Sequence, residues 1–262
     1  MSQLVSCENA TEWENNIQAP DYLVVNGLIT NEKKEHEIKL SKTVDQLNET
    51  EKPISGAIVT IFDGDTLFIL AENPANSGIY RTDTNFRAFI NKIYTLSIFS
   101  DGKNYYSSVY TIPVTPFNPL KYKLDEGKQM FALDSVTLAF DNNESAMYEI
   151  SIDWTQVSGY ESIAEYAKKA VIYYYSLSTI DVSEIFESER EKIYFPKGTT
   201  IIEKKYSLTP DHSDFLRSML LETEWRGSLF DVAHGNVKTN LSKGALGFFG
   251  ACTVIQETII VK

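Results

Sequence analysis

Short apolar runs recur along this chain, each closed by a turn signal, and that rhythm leaves little room for anything but antiparallel β structure. The first half carries six of them, at 22–29 (YLVVNGLI), 35–40 (EHEIKL), 57–62 (AIVTIF), 66–71 (TLFILA), 93–99 (IYTLSIF) and 104–111 (NYYSSVYT). Runs of this length suit strands and are too short for helices. Asp63-Gly64-Asp65 and Asp101-Gly102 stand between neighbouring runs, and both residue types tolerate the positive φ that tight hairpins need. Six or seven strands over about 90 residues imply a small β sandwich. A content of 15 Tyr and 14 Phe points the same way, because bulky rings fit a pleated surface better than a helix interior.

Residues 112–119 (IPVTPFNP) interrupt the pattern with three prolines, which cannot donate to a sheet ladder. A domain boundary is therefore expected there, with a sandwich over 20–114 and a second, mainly β unit over 120–262. In that second unit 129–140 and 147–154 read as strands flanking the loop 141–144, and 170–180 reads as a pairing partner. The stretch 160–169 (YESIAEYAKK) could instead start a helix. One helix is well marked near 210–226: Thr209 caps it, Pro210 fits its first turn, and Asp211 and Asp214 complement its positive end. Phe215, Leu216, Met219 and Leu220 share one face, and Gly227 supplies the stop. The closing segment 245–261 (ALGFFGACTVIQETIIV) is expected to form one long or two short strands.

The net charge of −12 sets a repulsive field against anionic polymers, so no nucleic-acid partner is expected. The pairs Lys33-Lys34, Lys168-Lys169 and Lys204-Lys205 lie beside acidic residues and read as solvated faces. No apolar run is long enough to span a bilayer as a helix. Membrane attachment would have to be covalent or through a partner, and Leu4-Val5-Ser6-Cys7 has the pattern of a bacterial lipobox, which makes Cys7 the expected lipid attachment site. The six residues ahead of it are too few for a secretory signal. Residues 8–18 are polar and aperiodic, the composition of a tether, so 1–19 is set apart from the folded chain. Cys252 is the only other cysteine, which excludes a disulfide framework and suggests a buried, inert thiol.

Signals of catalysis are sparse. His36, His212 and His234 are at no ligand spacing, no G-x-S-x-G elbow occurs, and no Gly-rich loop opens a helix after a strand. The acidic loops at 63–65 and 141–144 offer oxygen ligands without EF-hand spacing and read as solvated turns. No metal, cofactor or catalytic residue is assigned. The segment 225–250 is denser in information, with five glycines and two asparagines among aromatic residues. It reads first as a tight structural crossover and second as a binding loop, whose candidate contact residues are Trp225, Phe230, Asn236, Asn240, Phe248 and Phe249. Adjacent Phe248 and Phe249 in extended backbone must point to opposite faces, at most one into a one-sided core and the other onto a second surface, which is either the helix, the favoured reading, or another protein.

Cys7 with its tether, YLVVNGLITNE at 22–32, SGAIVTIFDGD at 55–65, GIYRT at 78–82 and IYTLSIFSDGKNYYSSVYTIP at 93–113 resemble a family of Bacteroidota lipoproteins. GSLFD at 227–231, GNVKTN at 235–240 and ALGFFGA at 245–251 are its most specific marks. The family is the domain of unknown function numbered 4249, often encoded beside TonB-dependent outer-membrane transporters. The resemblance implies an immunoglobulin-like or transthyretin-like first domain, a lipid-anchored outer-membrane location and no known catalytic residues. The functional expectation is a non-catalytic binding or accessory module of the cell envelope associated with such a transporter. The alternatives are a structural adhesin or surface-assembly subunit and, behind it, a hydrolase with an unmarked carboxylate pair.

Overall fold

The computed structural model describes residues 21–44, 49–117, 120–135, 143–178, 192–223 and 237–262. Cys7 and the tether, Trp225, Phe230, His234, Asn236, the Gly227 stop and Asp141-Asn142 lie outside these residues. The fold is mainly β. Its first part is a β sandwich built from β1 (Leu23–Thr30), β2 (Glu37–Lys42), β3 (Lys52–Pro53), β4 (Ile58–Phe62), β5 (Leu67–Glu72), β6 (Ile79–Arg81), β7 (Ile93–Ser100) and β8 (Lys103–Tyr110).

Strict alternation decides which side chains fill it. Val25, Ile29, Ile38, Leu40, Val59, Ile61, Leu96 and Ile98 point inward and are almost completely buried. One sheet runs β5-β4-β7-β8 and the other β1-β2-β6, and β5 belongs to both. Its first residues pair with β4, while Ala71 and Glu72 pair with β6, so the strand turns the corner of the sandwich. The β7–β8 hairpin closes on Asp101 and Gly102, both at positive φ, as a two-residue turn that follows the strand twist requires.

The second part holds a four-stranded antiparallel sheet in the order β12 (Lys169–Ser176), β11 (Ala146–Asp153), β13 (Thr200–Ser207), β15 (Val254–Ile260). The hairpin of β9 (Lys121–Asp125) and β10 (Met130–Ser135) contributes Tyr122 and Phe131 to the core of this sheet, beside Ile150, Ile152, Phe195 and Ile201. The stretch 160–169 yields only a 3-10 turn at Glu165–Lys168 before β12 begins, because the β-branched and aromatic run from Ala170 to Tyr175 pairs along its whole length with β11. The helix α1 (Pro210–Thr223) lies where the sequence places it, with Thr209 accepting the His212 N–H at 3.4 Å.

The last strands cross the expected partition at 112–119. β14 (Ala245–Cys252) runs parallel to β1 over its whole length, from Leu23 opposite Ala245 to Thr30 opposite Cys252. A single residue, Thr253, then leads into β15 in the other sheet. The sandwich therefore contains a strand from the far end of the sequence, and the whole second part is the long crossover that a parallel pair demands. Gly247 fits this ladder because a Cβ there would collide with the Val25 carbonyl oxygen, and its φ is +91°.

A third core sits at the junction. Leu216 and Leu220 of α1 meet Leu177, Tyr206, Leu208, Cys252 and Val254 there. The Asn31 side chain seals the seam: its amide donates to the Val254 carbonyl at 3.1 Å and its oxygen accepts the Val254 N–H at 2.7 Å.

Candidate functional site

The glycine-rich C-terminal segment resolves into packing. Phe249 is fully buried in the sandwich core, and Asn240 brackets its backbone, donating to its carbonyl at 2.7 Å and accepting its N–H at 3.1 Å. Phe248, on the opposite face, is stacked between the Phe215 ring at 4.6 Å and the His212 ring at 4.7 Å. The alternation read from the two rings is thus the one observed, with α1 as the second surface. It also removes Phe248 and Phe249 from any contact surface, and Asn240 acts as a local clamp. The remaining candidates of that segment, Trp225, Phe230 and Asn236, lie outside the described residues.

His36, His212 and the Cys252 thiol are likewise packed into the fold. Burial pulls the His212 imidazole down to about 4, and its Nδ1 lies 3.6 Å from Cys252 Sγ, whose thiol burial pushes far up. His36 sits 3.0 Å from the Thr30 hydroxyl against the edge of Phe86, and burial lowers it to about 4 as well. Asp63 serves its own hairpin, accepting the N–H groups of Asp65 at 3.0 Å and Thr66 at 2.7 Å, and meets Lys92 at 2.9 Å. Among the described residues no group of three His, Cys, Asp or Glu side chains is placed to hold a metal ion.

Lys204 and Lys205 do not form the solvated face that their acidic neighbours suggest. The register of β13 sends Lys205 inward, where it is 3% exposed and meets Glu144 at 2.8 Å and the Thr115 hydroxyl at 2.6 Å. Lys204, on the other face, reaches back to Glu32 at 2.7 Å and ties the two parts together. Burial alone would raise the Glu32 carboxyl, but hydrogen bonds from Lys204 and Lys34 outweigh it and hold it at about 2. Lys168 is also buried. For Lys204 and Lys205 the reason is shared: strand register fixes which face a side chain takes, and a long aliphatic stem can be packed when its charge finds a partner.

Among the described residues Glu203 has no such partner. It lies on the inward face of β13, 3% exposed and directly opposite Glu257 of β15, with Oε2 accepting no hydrogen bond. Burial, and then the like charge of Glu257, lift its carboxyl to about 7 against the pull of Lys205. A cleft of about 370 Å³ opens between the proline linker and the start of α1, lined by Ile112, Pro113 and Thr115 together with Glu144, Ser207 and Pro210. Its charged group is already engaged, since Glu144 is held by Thr115 and Lys205, and Glu203 is not among its walls.

The largest unusual feature is a surface that sequence reading passed over. The outward positions of β5, β4, β7 and β8 align in rows: Leu67, Phe62, Thr95, Ser108; then Ile69, Thr60, Ser97, Tyr106; then Ile58, Phe99, Asn104, with Ile93 beside Tyr110 at one end. None of these residues is charged, in a chain where 23% are. Ile69 is 73% exposed, Ile93 64% and Tyr106 62%. The signal was present as apolar residues at both alternating positions of the runs 57–62, 66–71 and 93–99, which a one-sided sheet does not need. Eight large side chains, each about half exposed, leave roughly 900 Å² of apolar surface at about 200 Å² per full side chain. A typical monomer's largest patch is about 300–600 Å².

Among the described residues no helix is long and apolar enough to cross a membrane. No curated protein matches this chain. A solved structure, the FN1–FN3 domains of chicken CNTN1, is similar at 13% identity and a TM-score of 0.27, over 73% of this chain; the chain spans 63% of the length of that structure. A family model described as "Domain of unknown function (DUF4249)" matches residues 10–258.

Proposed function

The chain belongs to the DUF4249 family, and we propose that it works as a non-catalytic binding or accessory module of a bacterial cell envelope, acting through protein contact. The observation that carries this reading is the uncharged outer face of the β5-β4-β7-β8 sheet, because a surface of that size and polarity is costly to leave in water and marks a contact site. The buried charges support it from the other side. Glu32 and Lys204 tie the two parts together, and Glu144 and Lys205 are engaged with each other.

In this reading Cys7 carries the lipid that tethers the module to the outer membrane, with the polar stretch behind it as spacer, and a TonB-dependent transporter is the assembly it accompanies. The LVSC pattern and the family resemblance support these two points. The test is expression behind a complete lipoprotein signal, with membrane partitioning compared for the parent and Cys7→Ala, followed by identification of proteins recovered with the parent from native membranes. Partitioning that survives Cys7→Ala unchanged refutes the anchor. Recovery without a transporter refutes that association. The relief of the outer face favours the second reading, a surface-assembly subunit, as far as it concerns contact between like chains.

A further inference from the structure

We infer that the uncharged face of the β5-β4-β7-β8 sheet packs against the same face of a second copy of this chain, forming a twofold dimer. The inference rests on the reading that this face makes protein contact, and it names the occupant. Size is the first argument. The roughly 900 Å² of exposed apolar side chain on it matches the ~800 Å² that each partner contributes to a standard stable interface.

Relief is the second. Thr60, Thr95, Ser97 and Ser108 occupy neighbouring register positions and make a low lane across the sheet, with the Thr95 and Ser108 hydroxyls joined at 2.9 Å. Along one side of the lane stand Ile58, Phe99 and Tyr106. A ridge lying beside a parallel lane is complementary to itself: a twofold axis in the plane of the face, running between them, lays each copy's ridge in the other copy's lane. This is the isologous contact of a C2 dimer, in which one patch serves both partners. Two sheets packed face to face bury their facing side chains between them, as the two layers of a β sandwich do.

Charge is the third argument. Two chains of net charge −12 repel at long range, so close approach requires a face that adds no like charges of its own. The outward positions of these four strands meet that condition, and the charged groups Asp63, Asp65, Asp101 and Lys103 sit beyond them at the hairpin ends. A dimer held this way strengthens with added salt, because screening relieves the repulsion and leaves apolar burial intact.

The experiment is sedimentation velocity on residues 8–262, which carry no lipid site, over a wide concentration series at low and high salt. The parent, Ile58→Glu, Tyr106→Glu and the off-face control Lys103→Glu are compared, each checked by thermal unfolding. The expected result is a concentration-dependent dimer for the parent and Lys103→Glu, and monomers for the two face variants with the fold retained. Their positions are exposed, so a charge there leaves the core intact. A parent that stays monomeric at every concentration overturns the inference, as does a dimer that survives both face charges. Flotation with phosphatidylcholine vesicles is the second arm: a monomeric parent that binds them, lost in Tyr106→Glu, assigns the face to a bilayer and also overturns the dimer. The two readings fail separately. A monomer whose face variants still lose proteins recovered from native membranes defeats only the dimer, whereas face variants that change neither association nor recovery defeat contact through this face altogether.

Discussion

Replacing Glu203 by glutamine separates the cost of a buried carboxylate from the rest of the second sheet. In the folded chain burial and the opposing Glu257 raise this carboxyl from 4.5 to about 7. Its contribution to stability is therefore fully present below the unfolded value of 4.5, and it is lost as pH rises through about 7, because the folded state holds a proton that the unfolded state releases. A difference of that size corresponds to about 3 kcal/mol between mildly acidic and mildly alkaline solution. The position is 3% exposed, so solvent screening takes little from the figure. Glutamine keeps the shape and carries no charge at any pH. Glu203→Gln is expected to match the parent near about pH 4 and to exceed it by about 2–3 kcal/mol near about pH 8, less up to about 1 kcal/mol if its new amide hydrogens go unpaired. At about 2–4 °C per kcal/mol for a unit of this size, the melting temperatures should part by roughly 4–12 °C. The assay is thermal and urea unfolding of both proteins across that pH range. Parallel profiles would refute the reasoning, since they would mean that Glu203 releases its proton as readily folded as unfolded.

Phe249→Ala and Phe248→Ala empty different cores, the sandwich and the junction, and each is expected to cost about 3–5 kcal/mol in urea unfolding. A replacement that leaves stability unchanged would return that ring to the surface. Lys205→Met strands Glu144 beside the proline linker and is expected to destabilise by about 3–5 kcal/mol, with much of the loss recovered in the double variant Lys205→Met/Glu144→Leu; additive losses would argue against their pairing. The fragment 20–114 ends at the proline boundary but lacks β14, which leaves the β1 edge unpaired and removes Ala245, Phe249 and Ala251 from the core. Circular dichroism should find it without a cooperative transition, and a sharp melt would show that the sandwich is complete without its last strand.

What was legible in the sequence was local, and what was not depends on partners far away. The Asp101-Gly102 turn, the start of α1 and the opposite facing of Phe248 and Phe249 each follow from a few consecutive residues, and each has the form that those residues imply. The stretch 200–207 gave no comparable signal, because Glu203 and Lys205 occupy inward positions and break the apolar alternation of β13. Lys205 can be packed there only because Glu144 and Thr115 come from other parts of the chain, and no spacing within 200–207 encodes them. β14 shows the same limit at the level of topology. Alternation tells a strand which face to bury but not which edge to join, so 245–252 read as a strand of the second unit. Gly247 carried the missing clue, since a glycine of positive φ inside a strand marks the close approach of another backbone. The outer sandwich face adds a different lesson. Its runs are apolar at both alternating positions, the pattern of a sheet covered on two sides, yet the described residues cover only one. Ile58, Ile69, Phe99 and Tyr106 are thus written as a second buried layer, and in the inferred dimer the matching face of the other copy completes it.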